Sequence, residues 1–235
     1  MTMIMTAATL REAGLYRLLT WLSPAYPVGA FSYSHGLEAA VAAGRVTNGD
    51  SLRHHTETAL AAGGGRAEAA LLAAAWQALA AGNAARLDAV ADLAAAWRGS
   101  AELALESLAQ GRAFLATTRA AWPHPLLDRV ALRHGGEIAL PVAIAAAAAA
   151  HCIPLPATLF AYLHAFAANL VSSGLRLIPL GQTEGQRLIA ALETAVAAAV
   201  AAALATPLEA TGTAAPLVEI GSMRHETQET RLFRS

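Results

Sequence analysis

The fold is decided by 38 consecutive residues without a charged side chain, Ile138 to Leu175, with the sequence IALPVAIAAAAAAHCIPLPATLFAYLHAFAANLVSSGL. A stretch of this length could span a membrane. However, prolines, histidines and serines interrupt it, and much of its hydropathy comes from small alanines. Its large apolar residues recur at steps of three, four and seven residues, which is the period of a helix with one buried face. We therefore expect buried core helices here, with a transmembrane helix as the alternative.

Alanine, which favours helices and disfavours strands, makes up 62 of the 235 residues. No run alternates between apolar and polar residues for long enough to predict a sheet. The predicted fold class is all-α: a single-domain bundle of about nine or ten helices over residues 1–220, followed by an extended C-terminal tail over residues 221–235. Because alanine is small, large residues such as Trp21 are expected to anchor the core. The glycines Gly63 to Gly65 predict a hinge or a mobile loop.

All 16 basic residues are arginines, so the chain contains no lysine. This absence excludes a Walker A phosphate site, a Schiff base and pyridoxal chemistry, because each needs a lysine. The net charge of -1 gives no attraction to nucleic acid or to an anionic membrane, and neither is predicted as a partner. The single cysteine, Cys152, is expected to be a buried structural residue of a protein in a reducing compartment. The N-terminus lacks the basic start of a signal peptide, so a cytoplasmic location is predicted.

The C-terminal residues do not follow the pattern of the helices. Between Arg224 and Arg231 there is no large apolar residue, and Leu232 and Phe233 come next. Such a segment is not expected to bury itself in its own domain. Two interpretations remain open, a frayed terminus or a peptide that becomes ordered on a partner protein. The apolar residues and the arginines, which can pair with carboxylates, favour the second.

No motif in the chain predicts catalysis. There is no G-x-S-x-G nucleophile elbow, and His151 and Cys152 are adjacent, so on a helix their side chains would point about 100° apart. His35 and Glu38 could share one helix face, which makes them weak candidates for a transient nickel or zinc contact, with a polar surface pair as the alternative. We predict no catalytic residue, no stably bound cofactor and no enzyme activity. A helical metal-binding protein or enzyme acting alone is the alternative.

Three segments carry recognisable motifs. The first is SPAYPVGAFSYSHGLE, residues 23–38, and the second is GSMRHETQETRLFRS, residues 221–235. The third lies within residues 170–186 and contains RLIPLGQT. Together they resemble the UreF family of urease accessory proteins. Tyr26 and Glu229 depart from the family pattern, at places where a leucine and an aromatic residue are expected.

The resemblance implies both a fold and a function. UreF proteins are all-α homodimers that act as non-enzymatic chaperones. They bridge the accessory protein UreD, also called UreH, and the GTPase UreG, and so support nickel insertion into apo-urease. Nickel and GTP are then handled by the partners, which agrees with a chain that has no lysine for a phosphate site.

The resemblance also implies which residues meet these partners. The first segment is expected to help form the dimer and the surface that faces UreG, through Pro27, Gly29, Phe31, Ser32, Tyr33, Ser34, His35, Gly36 and Glu38. The C-terminal segment is expected to become ordered on the UreD-type protein, through Met223, Arg224, His225, Glu226, Thr227, Gln228, Thr230, Arg231, Leu232, Phe233, Arg234 and Ser235. For the first segment a simpler alternative is that Phe31 and Leu37 fill the core while the polar side chains are solvated.

Overall fold

The computed structural model describes residues 7–235, and over that range it contains only helices and connecting loops. The all-α prediction is therefore confirmed. The α-helices of the described residues are α1 (Ala7–Trp21), α2 (Leu37–Ala42), α3 (Gly49–Ala62), α4 (Gly64–Ala80), α5 (Ala84–Ala96), α6 (Ala101–Ala121), α7 (Pro125–Arg133), α8 (Leu140–Ala150), α9 (Leu155–Leu177), α10 (Gln182–Ala191), α11 (Glu193–Ala205) and α12 (Pro216–His225). Short 3-10 helices, Ala30–Ser32 and Leu208–Ala210, lie in the loops before α2 and α12.

The centre of the core is α8, the alanine-rich helix. Ala143 and its neighbours Ala145 to Ala148 are completely buried, because α4 and α6 both pack against this helix. Alanine side chains allow helix axes to come close together. On α6, Gly111 marks a very close approach, since a side chain there would overlap the carbonyl oxygen of Ile138. The uncharged stretch therefore begins with a buried core helix, as predicted.

Two helical stretches, Leu155–Leu177 and Gln182–Ala205, are long and apolar enough to cross a membrane by length and composition alone. The first is α9, and half of its apolar part is buried in the domain, where it packs against α3, α4 and α11. The second is interrupted at Leu192, so it consists of helices of 10 and 13 residues. Each of these is shorter than the roughly 20 residues that a membrane span needs. We therefore describe both stretches as parts of the helical domain.

Aromatic side chains close the core at the end of α1. Trp21 is almost completely buried, and its ring lies edge-on to Phe114 and Trp122, with centroids 6.1 and 5.9 Å apart. The helix ends at this residue because Pro24 follows in the next turn and disfavours helical geometry before it. Trp21 is thus a core anchor, as expected, and it fixes the start of the loop that leads to the candidate site.

Two local expectations are wrong. The glycines 63–65 do not form a separate loop: α3 ends at Ala62 and α4 begins at Gly64, and a Cβ atom at Gly65 would lie 3.0 Å from the carbonyl oxygen of Ala59. These glycines let two helices pack closely at their junction. Cys152 is exposed, because it lies in the turn after α8 with a φ of 55°, outside the buried face of that helix.

The C-terminal part of the chain packs back onto the domain. The helix α12 contacts α2 and α6, and it spans residue 220, where the sequence suggested a boundary. Below, residues 226–235, which follow α12, are called the tail, and residues 22–36, which connect α1 to α2, are called the N-terminal loop.

Candidate functional site

The N-terminal loop is shaped by positive φ angles at Gly29 (73°), His35 (53°) and Gly36 (77°). Glycine adopts this conformation without the steric cost that a Cβ atom imposes. Gly36 has a second role, since a Cβ atom there would lie only 2.6 Å from the backbone nitrogen of Ser222 on α12. The loop can lie directly against α12 because residue 36 has no side chain.

The tail folds back onto the N-terminal loop through main-chain hydrogen bonds. The backbone N–H of Arg234 donates to the carbonyl oxygen of Ser32 (2.8 Å), and the N–H of Ser34 donates to the carbonyl oxygen of Ser235 (3.0 Å). The hydroxyl of Ser34 donates to the same oxygen of Ser235. These bonds connect two segments from opposite ends of the chain.

One aromatic ring also holds the tail in place. Phe233 is only 4% exposed, and the guanidinium of Arg176 lies over its ring at 4.1 Å, within cation–π range. The expectation that this segment could not bury itself is therefore wrong. Hydrogen bonds and a single aromatic ring anchor the tail. Neither requires a row of large apolar residues in the sequence.

The carboxylate of Glu38 binds the tail backbone. Its Oε1 accepts the N–H of Leu232 (2.7 Å) and its Oε2 accepts the N–H of Phe233 (2.9 Å). The ring of His225 lies 3.2 Å from Oε2 through Nε2. Glu38 is itself buried, so its charge is compensated by hydrogen bonds from several donors rather than by water.

Glu102 on α6 is a second carboxylate that contacts both α12 and the tail. Its Oε2 lies 2.6 Å from Nδ1 of His225, and its Oε1 accepts a hydrogen bond from Nη1 of Arg231. The imidazole of His225 is completely buried between Glu38 and Glu102.

A third carboxylate, Glu106, receives the last side chain of the tail. The hydroxyl of Ser235 donates to Oε2 of Glu106 (2.7 Å), and Nε2 of Gln110 donates to Oε1 (2.9 Å). Nε2 of His35 is 3.4 Å from the same Oε1 atom. Burial raises the pKa of Glu106, in spite of the opposing effects of His35 and Ser235. This acid therefore holds its proton to a higher pH than an exposed glutamate does.

Close to Glu106 lies a buried ion pair between Glu68 on α4 and Arg98, which follows the end of α5. Nη1 of Arg98 is 2.6 Å from Oε1 of Glu68, and the hydroxyl of Tyr162 donates to Oε2 of Glu68 (2.7 Å). Burial acts to raise the pKa of Glu68, but the charge of Arg98 and these hydrogen bonds hold it below its ordinary value. Burial and the neighbouring Glu68 raise the pKa of Tyr162 well above its usual range.

Two cavities, of about 390 and about 220 Å³, share His35, Glu68 and Arg98 in their walls. The smaller one is also lined by His55, whose pKa is lowered to about 4, first by burial and then by the charge of Arg45. Glu68 and Arg98 were not singled out in the sequence. One sequence feature could have indicated a buried charge: Glu68 is the only charged residue among the alanines and leucines of residues 67–75.

The weak metal candidates His35 and Glu38 are not brought together. His35 lies before the start of α2 in a left-handed conformation, so the two residues do not share a helix face. His35 faces Glu106, whereas Glu38 faces His225. Within residues 7–235, the structure places no three His, Cys, Asp or Glu side chains where they could hold a metal ion. The geometry of these groups serves instead to hold the tail.

The residues expected to bind partners divide by exposure. The buried ones are Tyr33, Ser34, Gly36, Glu38, His225, Phe233 and Ser235. The half-buried ones are Gly29, Ser32, His35 and Gln228. The exposed ones are available to another protein: Pro27, Phe31, Met223, Arg224, Glu226, Thr227, Thr230, Arg231, Leu232 and Arg234.

An apolar face on α12 adjoins these exposed residues. Leu217, Ile220 and Met223 follow one another at three-residue steps and are all exposed, as is Leu232 in the tail. Leu217 and Ile220 are not among the residues that are expected from the sequence to bind partners. Their three-residue spacing makes Ile220 a neighbour of both Leu217 and Met223 on the exposed surface of α12.

The fold and the site define an all-α protein in which an N-terminal loop and a C-terminal tail form one buried polar contact beside an exposed apolar helix face. A sequence model of the UreF family matches residues 46–193. Urease accessory protein UreF of Granulibacter bethesdensis is 55% identical over 95% of this chain and 95% of its own length. The protein of that name from Rhodopseudomonas palustris (strain TIE-1) is 51% identical over 96% of this chain and 94% of its own length. That from Bradyrhizobium diazoefficiens is 46% identical over 97% of this chain and 94% of its own length. This chain belongs to the UreF family of urease accessory proteins.

Proposed function

We propose that this protein is a non-enzymatic chaperone subunit of urease maturation in the cytoplasm. It bridges a UreD/UreH-type protein and the GTPase UreG, and so supports nickel insertion into apo-urease. The observation that carries the proposal is the contact between the N-terminal loop and the tail, which joins the two segments of the family motifs into one structural unit. Nickel and GTP are handled by the partners, and no resident cofactor is assigned to this chain.

The surface for the UreD-type protein is formed by α12 and the tail. Leu217, Ile220, Met223 and Leu232 offer exposed apolar side chains, and Arg224 beside them can pair with a carboxylate of the partner. Apolar residues exposed in this way on one helix face are typical of a protein interface. This arrangement revises the sequence-based proposal in one respect: Leu232 faces outward, whereas Phe233 holds the tail to its own domain.

The surface for a second copy and for UreG is formed by the N-terminal loop and the adjoining face of α9. Phe31 is exposed on the loop, and Phe160 and His164 are exposed on α9. Phe31 and His164 both line the larger cavity, so the loop and the helix adjoin there. We assign homodimer formation to this face, and a dimer would present its UreG-facing surface in two copies.

The proposal is tested by co-purification of three single-residue variants with separately purified UreD-type and UreG proteins. Met223→Asp is expected to abolish binding of the UreD-type protein and to remain a dimer. The new charge lies on α12, which belongs to the proposed surface for that partner and not to the proposed dimer surface. Phe31→Asp is expected to lose the dimer and UreG. Leu132→Asp is the matched control, since Leu132 is an exposed leucine on α7, outside both surfaces. Retention of both partners by both test variants would overturn the proposal.

A further inference from the structure

We propose that His225 is the positioning residue that holds α12 and the tail together as one partner-facing surface. This inference rests on the proposed function for the identity of the partner. It concerns a residue that the resemblance implies as a partner contact, but whose ring is completely buried within the domain.

The evidence begins with the surroundings of the imidazole ring. His225 is completely buried, and its two nitrogens face carboxylates on two different helices, Glu38 on α2 and Glu102 on α6. Each ring nitrogen is within hydrogen-bond distance of a carboxylate oxygen, at 2.6 Å for Nδ1 and 3.2 Å for Nε2. The buried ring therefore connects α12 to both α2 and α6 at a place that little water reaches.

Each of these carboxylates has a second contact in the tail. Glu38 accepts the backbone N–H groups of Leu232 and Phe233, and Glu102 accepts a hydrogen bond from Arg231. His225 therefore fixes two of the groups that anchor the tail, although it lies on α12. A change at this ring should release the tail through Glu38 and Glu102.

The contacts of His225 fix the position of Leu232 relative to Met223, the nearest outward-facing apolar residues after and before it in the sequence. Met223 lies two positions before His225 on the exposed side of α12, and Leu232 is the residue whose N–H is held by Glu38. With His225 in place, these two apolar side chains belong to one rigid surface. Without it, the partner would have to order the tail as it binds, and that ordering reduces affinity.

The first test is hydrogen exchange in the isolated full-length chain, which needs no partner. In His225→Gln the amides of Leu232 and Phe233 are expected to exchange at least about 10-fold faster, as befits the loss of a charge-assisted buried hydrogen bond, while the amides of α8 keep their protection. His54→Gln, an exposed histidine on α3, is the control. If His225→Gln unfolds the chain, Glu102→Gln replaces it, because this variant keeps the size of the side chain and alters the contact at Nδ1 of His225, while the carboxylate of Glu38 that accepts the two tail amides is unchanged. Unchanged protection of the two tail amides would overturn the inference.

The second test is a double-mutant cycle on the affinity for the UreD-type protein, with His225→Gln, Phe233→Ala and both together. Each single variant is expected to weaken binding by about 10- to 100-fold. If His225 acts through the tail, the double variant is no weaker than the weaker single variant, whereas a merely structural role would give additive losses and overturn the inference. Faster tail exchange with unchanged affinity in every variant, Met223→Asp included, would keep the positioning role of His225 and overturn the proposed UreD-type surface.

Discussion

Ser34 and Ser235 lie 201 positions apart in the sequence and are joined by two hydrogen bonds to one atom. The backbone N–H of Ser34 (3.0 Å) and its hydroxyl (2.5 Å) both donate to the carbonyl oxygen of Ser235. Both residues are completely buried, and loss of the tail would remove the acceptor of both hydrogen bonds. The N-terminal loop and the tail therefore stabilise each other.

Gly36→Ala is expected to push the N-terminal loop away from α12. The new Cβ atom would lie 2.6 Å from the backbone nitrogen of Ser222, and residue 36 has a φ of +77°, so strain and overlap both oppose the change. We expect a loss of at least about 3 kcal/mol in the free energy of unfolding, measured by urea denaturation. Gly29→Ala is the matched control, because its φ is +73° but nothing lies within 4 Å, and its cost should be about 1 kcal/mol. Equal losses in both variants would contradict the close approach.

Phe233→Ala and Leu232→Ala are expected to differ in their effect on the docking of the tail in the isolated chain. Phe233 is buried under Arg176, so its truncation should free the tail in the isolated chain and make it susceptible to limited proteolysis. Leu232 is 61% exposed, so its truncation should leave proteolysis of the isolated chain unchanged and weaken only binding to the UreD-type protein. A tail that is cleaved equally fast in both variants and in the unchanged chain would show that it is not docked.

The contribution of His55 to the stability of the protein is expected to fall as the pH decreases from about 6.5 to about 4. His55 has its pKa lowered from 6.5 to about 4 by burial and by Arg45, so over this interval the unfolded chain binds a proton that the folded chain does not. The contribution of His55 to the free energy of unfolding therefore rises with pH across the window, by about 3 kcal/mol at most. His55→Gln should flatten this part of the stability profile measured by urea denaturation. Parallel profiles for the variant and the unchanged chain would contradict the assignment.

The ion pair of Glu68 and Arg98 is expected to be strongly coupled. Glu68→Gln leaves a buried guanidinium without a counter-charge, and Arg98→Met leaves a buried carboxylate, so each should cost about 3 kcal/mol in the free energy of unfolding. The double variant leaves neither charge and should cost clearly less than the sum of the two single losses. Additive losses in urea denaturation would show that the two side chains act independently.

The helical core could be predicted because its signals are local. The alanine content favours helices, and the spacing of Leu155, Leu159 and Leu163 predicts the buried face of α9 without knowledge of any distant residue. Docking of the tail could not be predicted in this way. Its anchors are backbone N–H groups that meet the carboxylate of Glu38, and a backbone group has no distinguishing letter in the sequence.

Backbone geometry, which the residue letters do not show, also explains the errors at single positions. Cys152, the single cysteine, was expected to be a buried structural residue, but the left-handed turn at this residue places it outside the buried face. His35 and Glu38 have helical spacing in the sequence, but the helix begins only at Leu37. In both cases the backbone conformation of one residue decides the direction of a side chain, and spacing alone does not reveal it.

The alanine core of α8 reverses the usual pattern of mutational sensitivity. In most cores the damaging changes shorten a leucine or a phenylalanine, but at Ala145 to Ala148 there is almost nothing left to remove. Enlargement is the harmful direction, because these completely buried positions have α4 and α6 packed against their helix and offer no room for additional methyl groups. Natural variation at Ala145 to Ala148 should therefore be confined to glycine, serine and alanine, and a single valine at one of these positions should be more disruptive than many truncations elsewhere in the protein.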